Sequence, residues 1–108
     1  SYESRILSLE AQLSKIKGRF TLEADRYHYN LGVLYVQNKD FEAAVKEFTA
    51  SLGFNPRNAL AHYNLGIIYD DYFKDKVKAR LHYSSYLQLD PVSDDAEAVK
   101  EWLANLEK

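Results

Sequence analysis

The chain has no cysteine, no methionine, two prolines and four scattered glycines. Without cysteine there can be no disulfide, thiolate metal site or cysteine nucleophile, although this does not select a cellular compartment. The absence of methionine, even at position 1, is expected of a processed chain or a segment of a longer one. No apolar run approaches the roughly 20 residues that a helix needs to cross a bilayer. Nor is there a signal-peptide pattern, so a soluble piece without direct membrane insertion is expected. The 14 basic and 16 acidic residues are interspersed and leave a net charge of −2, with no basic patch to draw nucleic acid. Scattered glycines form no phosphate-cradling loop, and neither a nucleophile elbow nor a zinc signature is present. No enzymatic activity and no cofactor are expected. At 108 residues, 46% of them hydrophobic, the chain is large enough for one domain and too short for two.

One segment is present twice. His28-Tyr29-Asn30-Leu31-Gly32, closing with Tyr35, returns as His62-Tyr63-Asn64-Leu65-Gly66, closing with Tyr69, each member 34 positions later. A period of this length signals stacked repeats. In the first unit Ala24 to Gln37 reads as a helix with Tyr27, Leu31, Leu34 and Tyr35 on one face. After Asn38-Lys39-Asp40 a second helix carries Phe41, Ala44, Val45, Phe48 and Leu52, with Asp40 as its N-cap and Gly53 as its terminator before Pro56. Two such stripes across a short turn make an antiparallel helical hairpin. The second unit is capped by Asn58 and runs to about Tyr72, then from about Lys76 to Leu89. Its landmarks Ala79, Tyr83 and Pro91 follow Ala44, Phe48 and Pro56 by 35 positions, so one residue has been inserted. The turn around Tyr72 to Asp75 is the expected place, because an extra residue inside a helix rotates all later side chains by about 100°.

The pattern Leu31, Gly32, Tyr35, Ala44, Phe48, Pro56, repeated as Leu65, Gly66, Tyr69, Ala79, Tyr83, Pro91, resembles the tetratricopeptide repeat. The resemblance spans residues 25 to 92. It implies an all-α fold, a right-handed α-α superhelix of about six helices, in which Gly32 and Gly66 permit close approach between paired helices. It also implies a non-catalytic protein–protein interaction module that binds a peptide or protein surface in a concave groove lined by the first helix of each repeat. Carried over by position, the groove residues are Arg26, Tyr29, Asn30, Val33 and Gln37, and Tyr63, Asn64, Ile67, Asp70 and Asp71. Asn30 and Asn64 can hold a peptide backbone through donor and acceptor, or can bond a neighbouring helix of their own chain. Both readings stand at this level. Tyr29 occupies a position that is basic in members gripping a C-terminal carboxylate, so that form of recognition is not implied. His28 and His62 stand where the family has tryptophan and are expected to pack in its place rather than to bind metal. Tyr86 replaces the small Ser51 of the first unit and would obstruct a standard third repeat.

Three segments result: residues 1–20, a heptad helix; 24–92, two repeats; 93–108, a capping helix. In the first, Tyr2, Ile6, Leu9, Leu13, Ile16 and Phe20 follow a four-three rhythm, with a break expected near Gly18 to Thr21. This stretch either folds back on the repeats or forms a coiled-coil stem. In the second case Ile6, Leu9, Leu13, Ile16 and Phe20 would carry homo-oligomerisation; the alternative function is structural self-assembly, through this helix or through an open end of the repeat stack. In the last segment Ser93 or Asp94, with Glu97 at capping-box spacing, is expected to open a helix whose Trp102 covers the second repeat.

Overall fold

The computed structural model describes residues 1–108. It contains α1 (Tyr2–Gln37), α2 (Phe41–Phe54), α3 (Ala59–Ile67), a π-helical turn (Ile68–Tyr72), α4 (Lys76–Leu89) and α5 (Ala96–Leu106). The fold is all-α, as expected. The α-helices number five rather than about six because the heptad segment and the first repeat helix are one 36-residue helix.

The expected break near Gly18 does not occur. A methyl group at Gly18 would meet nothing within 4 Å, and the Thr21 hydroxyl donates to the Lys17 carbonyl at 2.9 Å instead of capping a new helix. One interior glycine costs a helix about 1 kcal/mol. With good helix formers on both sides, that cost does not interrupt α1.

The two hairpins are α1–α2 and α3–α4. Asp40, Asn58 and Asp75 cap α2, α3 and α4 by accepting from the N–H three residues on, at 3.2, 3.1 and 3.1 Å. Gly53 does not end α2, which continues through Phe54 and stops at the extended Asn55. The hairpin turns match: Lys39 and Lys74, 35 apart, both take a left-handed backbone with φ of 60° and 56°. The inserted residue is therefore not in the turn, which corrects the sequence expectation. The Asp40 N–H reaches back five residues to the Tyr35 carbonyl, whereas the Asp75 N–H reaches back six to Tyr69. The extra residue lies in the π turn, closed by the Phe73 N–H donating to the Ile68 carbonyl at 3.1 Å. A wider turn takes up one residue locally, so the 100° rotation is not passed on.

Gly32 and Gly66 mark close helix approaches. A Cβ on Gly32 would lie 2.6 Å from the Phe48 ring, and one on Gly66 would lie 2.5 Å from that of Tyr83. Around these contacts sit two buried clusters, one of Ala44, Phe48, Ala61, Leu65 and Ile68 and the other of Ala79, Tyr83, Tyr86, Val99 and Leu106. The second takes in α5, which thus covers the last repeat. Ala96, Val99 and Leu106 are its buried residues, with Trp102 half-buried beside the last two. The expected capping box at Asp94 and Glu97 does not form: α5 opens at Ala96, and the Ser93 hydroxyl is engaged with Tyr86 Oη at 2.6 Å.

Residues 1–20 are exposed throughout, so the fold-back reading fails. Their one aromatic contact with the repeats is Phe20, whose ring meets Phe54 edge-on at 6.5 Å. The principal extents of 65 × 29 × 23 Å reflect a helix that projects beyond the hairpins.

Candidate interaction face

The expected groove residues separate into those that line clefts and those that do not. One cleft of about 280 Å³ opens between the first hairpin and α3, lined by Val36, Phe41, Asn64, Ile67, Ile68, Asp71 and Tyr72. A second of about 180 Å³ lies between α3 and α5, lined by Ile67, Asp70, Asp71, Tyr83 and Trp102. Ile67 and Asp71 belong to both, so the clefts adjoin. The structure thus brings together Asn64, Ile67, Asp70 and Asp71 from the sequence expectation.

The other expected residues line neither cleft. Arg26, Asn30 and Gln37 are exposed on α1. Val33 and Tyr29 pack against the first core cluster, with the Tyr29 ring 5.5 Å from that of Phe48. Tyr63 turns toward the C-terminal cover, its ring 5.3 Å from Tyr86 and 6.0 Å from Trp102. Burial raises the pKa of Tyr63, with the Asp95 charge and Tyr86 adding to the effect. Of the matched pairs, Tyr29 and Tyr63, and Val33 and Ile67, each pack against the cluster of their own repeat, whereas Asn30 is exposed and Asn64 is hydrogen-bonded. Asn64 Nδ2 donates to the Leu60 carbonyl at 2.9 Å and to Tyr29 Oη at 3.3 Å, bonding a neighbouring helix of its own chain. Burial raises the pKa of Tyr29, and the Asn64 N–H partly offsets it.

Sequence reasoning missed Val36, Phe41, Ile68, Tyr72, Tyr83 and Trp102 as cleft residues. Tyr83 and Trp102 were assigned to packing, and they do both jobs: their rings lie 5.8 Å apart, while Tyr83 Oη donates to Asp70 Oδ2 at 3.0 Å. Burial, followed by the neighbouring Asp70 carboxylate, raises the Tyr83 pKa strongly and keeps it a donor. A second missed feature is a buried polar knot where α1, α2 and α3 meet. Asp25, 6% exposed, accepts from Ser51 Oγ, from Asn55 Nδ2 at 3.0 Å and from Asn58 Nδ2 at 2.8 Å. Burial alone would raise the Asp25 pKa; these hydrogen bonds outweigh it and hold the carboxyl below its ordinary value.

His28 and His62 do not face each other. His28 Nδ1 pairs with Glu47 Oε2 at 2.6 Å, and its ring stacks on Phe54. His62 pairs with His82, which is 35 positions after Glu47. No group of three or more His, Asp or Glu is placed to hold a metal ion, and no helix is long and apolar enough to cross a membrane.

Paired antiparallel helices with tight glycine contacts and clefts between successive hairpins define an all-α helical-repeat protein. The family model for the TPR repeat matches residues 34–70, from the last turn of α1 through α2 into the π turn. With the doubled motif and its two hairpins, that match supports a tetratricopeptide repeat assignment; such repeats are generally non-catalytic protein-interaction modules. A search of curated proteins finds no match.

Proposed function

We propose that this chain is a non-catalytic module that binds a peptide or protein surface along the adjoining clefts between α1, α3 and α5. The observation that supports it is the meeting of the two clefts at Ile67 and Asp71. The lining there is apolar and aromatic, with two carboxylates among it, Asp70, which accepts from Tyr83, and the exposed Asp71. Such a surface suits a segment that places an apolar side chain beside Ile67 and a basic one near Asp71. Asn64, held by Leu60 and Tyr29, contributes from the wall.

The test compares the wild-type chain, Ile67→Arg and Asp71→Lys, each immobilised and exposed to the same native extract, with captured proteins identified by mass spectrometry. The expected result is a protein retained by the wild type and lost from both variants at unchanged helicity. Equal capture by all three would remove the clefts as the binding site.

A second reading is favoured by the exposure of residues 1–20. In it the chain also assembles with itself through Ile6, Leu9, Leu13, Ile16 and Phe20. The two readings are compatible, because this seam and the clefts share no residue.

A further inference from the structure

Residues seven apart lie along one stripe of a helix. On α1 the stripe Ser4, Ala11, Gly18, Asp25, Gly32 contains both of the helix's buried residues, Asp25 and Gly32. It marks the side of α1 that faces the repeats. The stripes Ile6, Leu13, Phe20 and Tyr2, Leu9, Ile16 fall on the opposite side, as the a and d positions of a heptad do when f points the other way. Four of these side chains, Leu9, Leu13, Ile16 and Phe20, are 61–65% exposed. The seam therefore faces away from the hairpins over most of its length: only its last residue, Phe20, meets them, edge-on to Phe54 at the end of α2, and Tyr2 to Ile16 stay clear for a docked helix.

The flanks of the seam indicate what covers it. Glu3, Glu10 and Lys17 line one edge (e) and Arg5, Gln12 and Arg19 the other (g). If a second copy lies parallel and in register, Arg5 of each copy stands beside Glu10 of the other, Gln12 meets Lys17, and no like charges meet along the edges. Antiparallel pairing is poorer. The register that joins Ile6 to Ile16 sets Arg5 against Arg19 and Glu10 against Glu10. The next register sets Ile6 against Glu23 and Arg5 against Arg26. The apolar stripe is only two positions wide with polar edges, which is the area a single partner helix covers.

We infer that two copies of this chain pair through Tyr2 to Phe20 as a parallel, in-register coiled coil. This deepens the self-assembly reading above and rests on it. Glu23 takes the next d position, where two copies would oppose like charges, so the pairing stops at Phe20. The remainder of α1 and both clefts stay uncovered in each copy. A paired molecule presents two interaction faces at once, which strengthens its hold on a partner carrying two binding segments.

Because the chain has no cysteine, single introduced cysteines report the pairing. The full chain and its Leu13→Glu, Ile6→Cys and Ile16→Cys variants are compared by sedimentation equilibrium under reducing conditions, with circular dichroism as the folding control. The cysteine variants are then oxidised, singly and as a mixture. The inference expects a dimer that Leu13→Glu converts to a folded monomer, and efficient cross-linking of Ile6→Cys with itself and of Ile16→Cys with itself. A dimer that cross-links only between Ile6→Cys and Ile16→Cys overturns the parallel arrangement and leaves self-assembly standing. A trimer overturns the pair. A wild-type monomer at the highest concentration reached overturns both readings.

Discussion

The rings of His62 and His82 share a hydrogen bond, Nδ1 to Nδ1, at 3.0 Å. His62 Nε2 lies 3.2 Å from the Pro56 carbonyl, so His62 carries its proton there and accepts at Nδ1 from the Nδ1–H of His82. Both rings are neutral in this arrangement. Burial, then the charge that His62 would carry, bring the His82 pKa down to about 4, and burial lowers that of His62 against the pull of Pro56. Depressed histidines bind more protons unfolded than folded. Their stabilisation is thus complete above the ordinary value of 6.5 and is lost as pH falls toward about 4. Denaturant unfolding from pH 7 to 4.5 is expected to show a loss of roughly 1–2 kcal/mol, discounted for partial exposure. His82→Glu, which recreates the His28–Glu47 arrangement, should remove that loss. Parallel pH profiles for the two proteins would refute this assignment.

Gly32 and Gly18 occupy the same stripe of α1 and should respond oppositely to alanine. At Gly32 the new methyl meets the buried Phe48 ring at 2.6 Å, whereas at Gly18 nothing lies within 4 Å. Overpacking typically costs 1–3 kcal/mol, while alanine in an open helix position gains about 1 kcal/mol over glycine. Gly32→Ala is expected to lower the thermal midpoint and Gly18→Ala to raise helicity and leave the midpoint equal or higher. A stabilised Gly32→Ala would mean that α1 and α2 are not in tight contact.

Asp25 joins three helices through one carboxylate. Asp25→Ala leaves Ser51, Asn55 and Asn58 without their shared acceptor and is expected to cost about 2–4 kcal/mol. A depressed carboxylate stabilises fully above its ordinary value of 3.8 and loses that contribution as pH falls through its lower folded value. The Asp25 contribution therefore disappears below the histidine window. If urea midpoints of wild type and variant agree at pH 7, the knot is not stabilising.

The helical scaffold was legible because its signals are local. The 34-residue offset, the paired glycines and the caps Asp40 and Asn58 all depend on near neighbours. Continuity of α1 was not legible, because Gly18 and Thr21 have the composition of a boundary and only the absence of any competing contact keeps them helical. The cleft was half legible. Position in the repeat identified Asn64, Ile67, Asp70 and Asp71. Phe41, Tyr83 and Trp102 come from helices whose apolar residues all read as core. Phe41 reaches the first cleft beside Tyr72, while Tyr83, though 1% exposed, and the half-buried Trp102 reach the second because α5 is set against α3. The Asp25 knot brings together residues 26 to 33 positions apart, which periodicity does not connect.

The π turn is where the extra residue of the second hairpin is accommodated, and deletion of Asp71 isolates its effect. Deletion restores the 34-residue spacing while leaving Asp70 available to Tyr83 and the Lys74 turn with its matching counterpart at Lys39. A regular α turn can then replace the wider one, so the protein should remain folded with equal or greater thermal stability. The cost should fall on the clefts, because Asp71 lines both. A partner captured by wild type is expected to be lost while circular dichroism is unchanged. If the deletion instead unfolds the second hairpin, the extra residue is needed to seat α4, and its position beside the clefts is incidental.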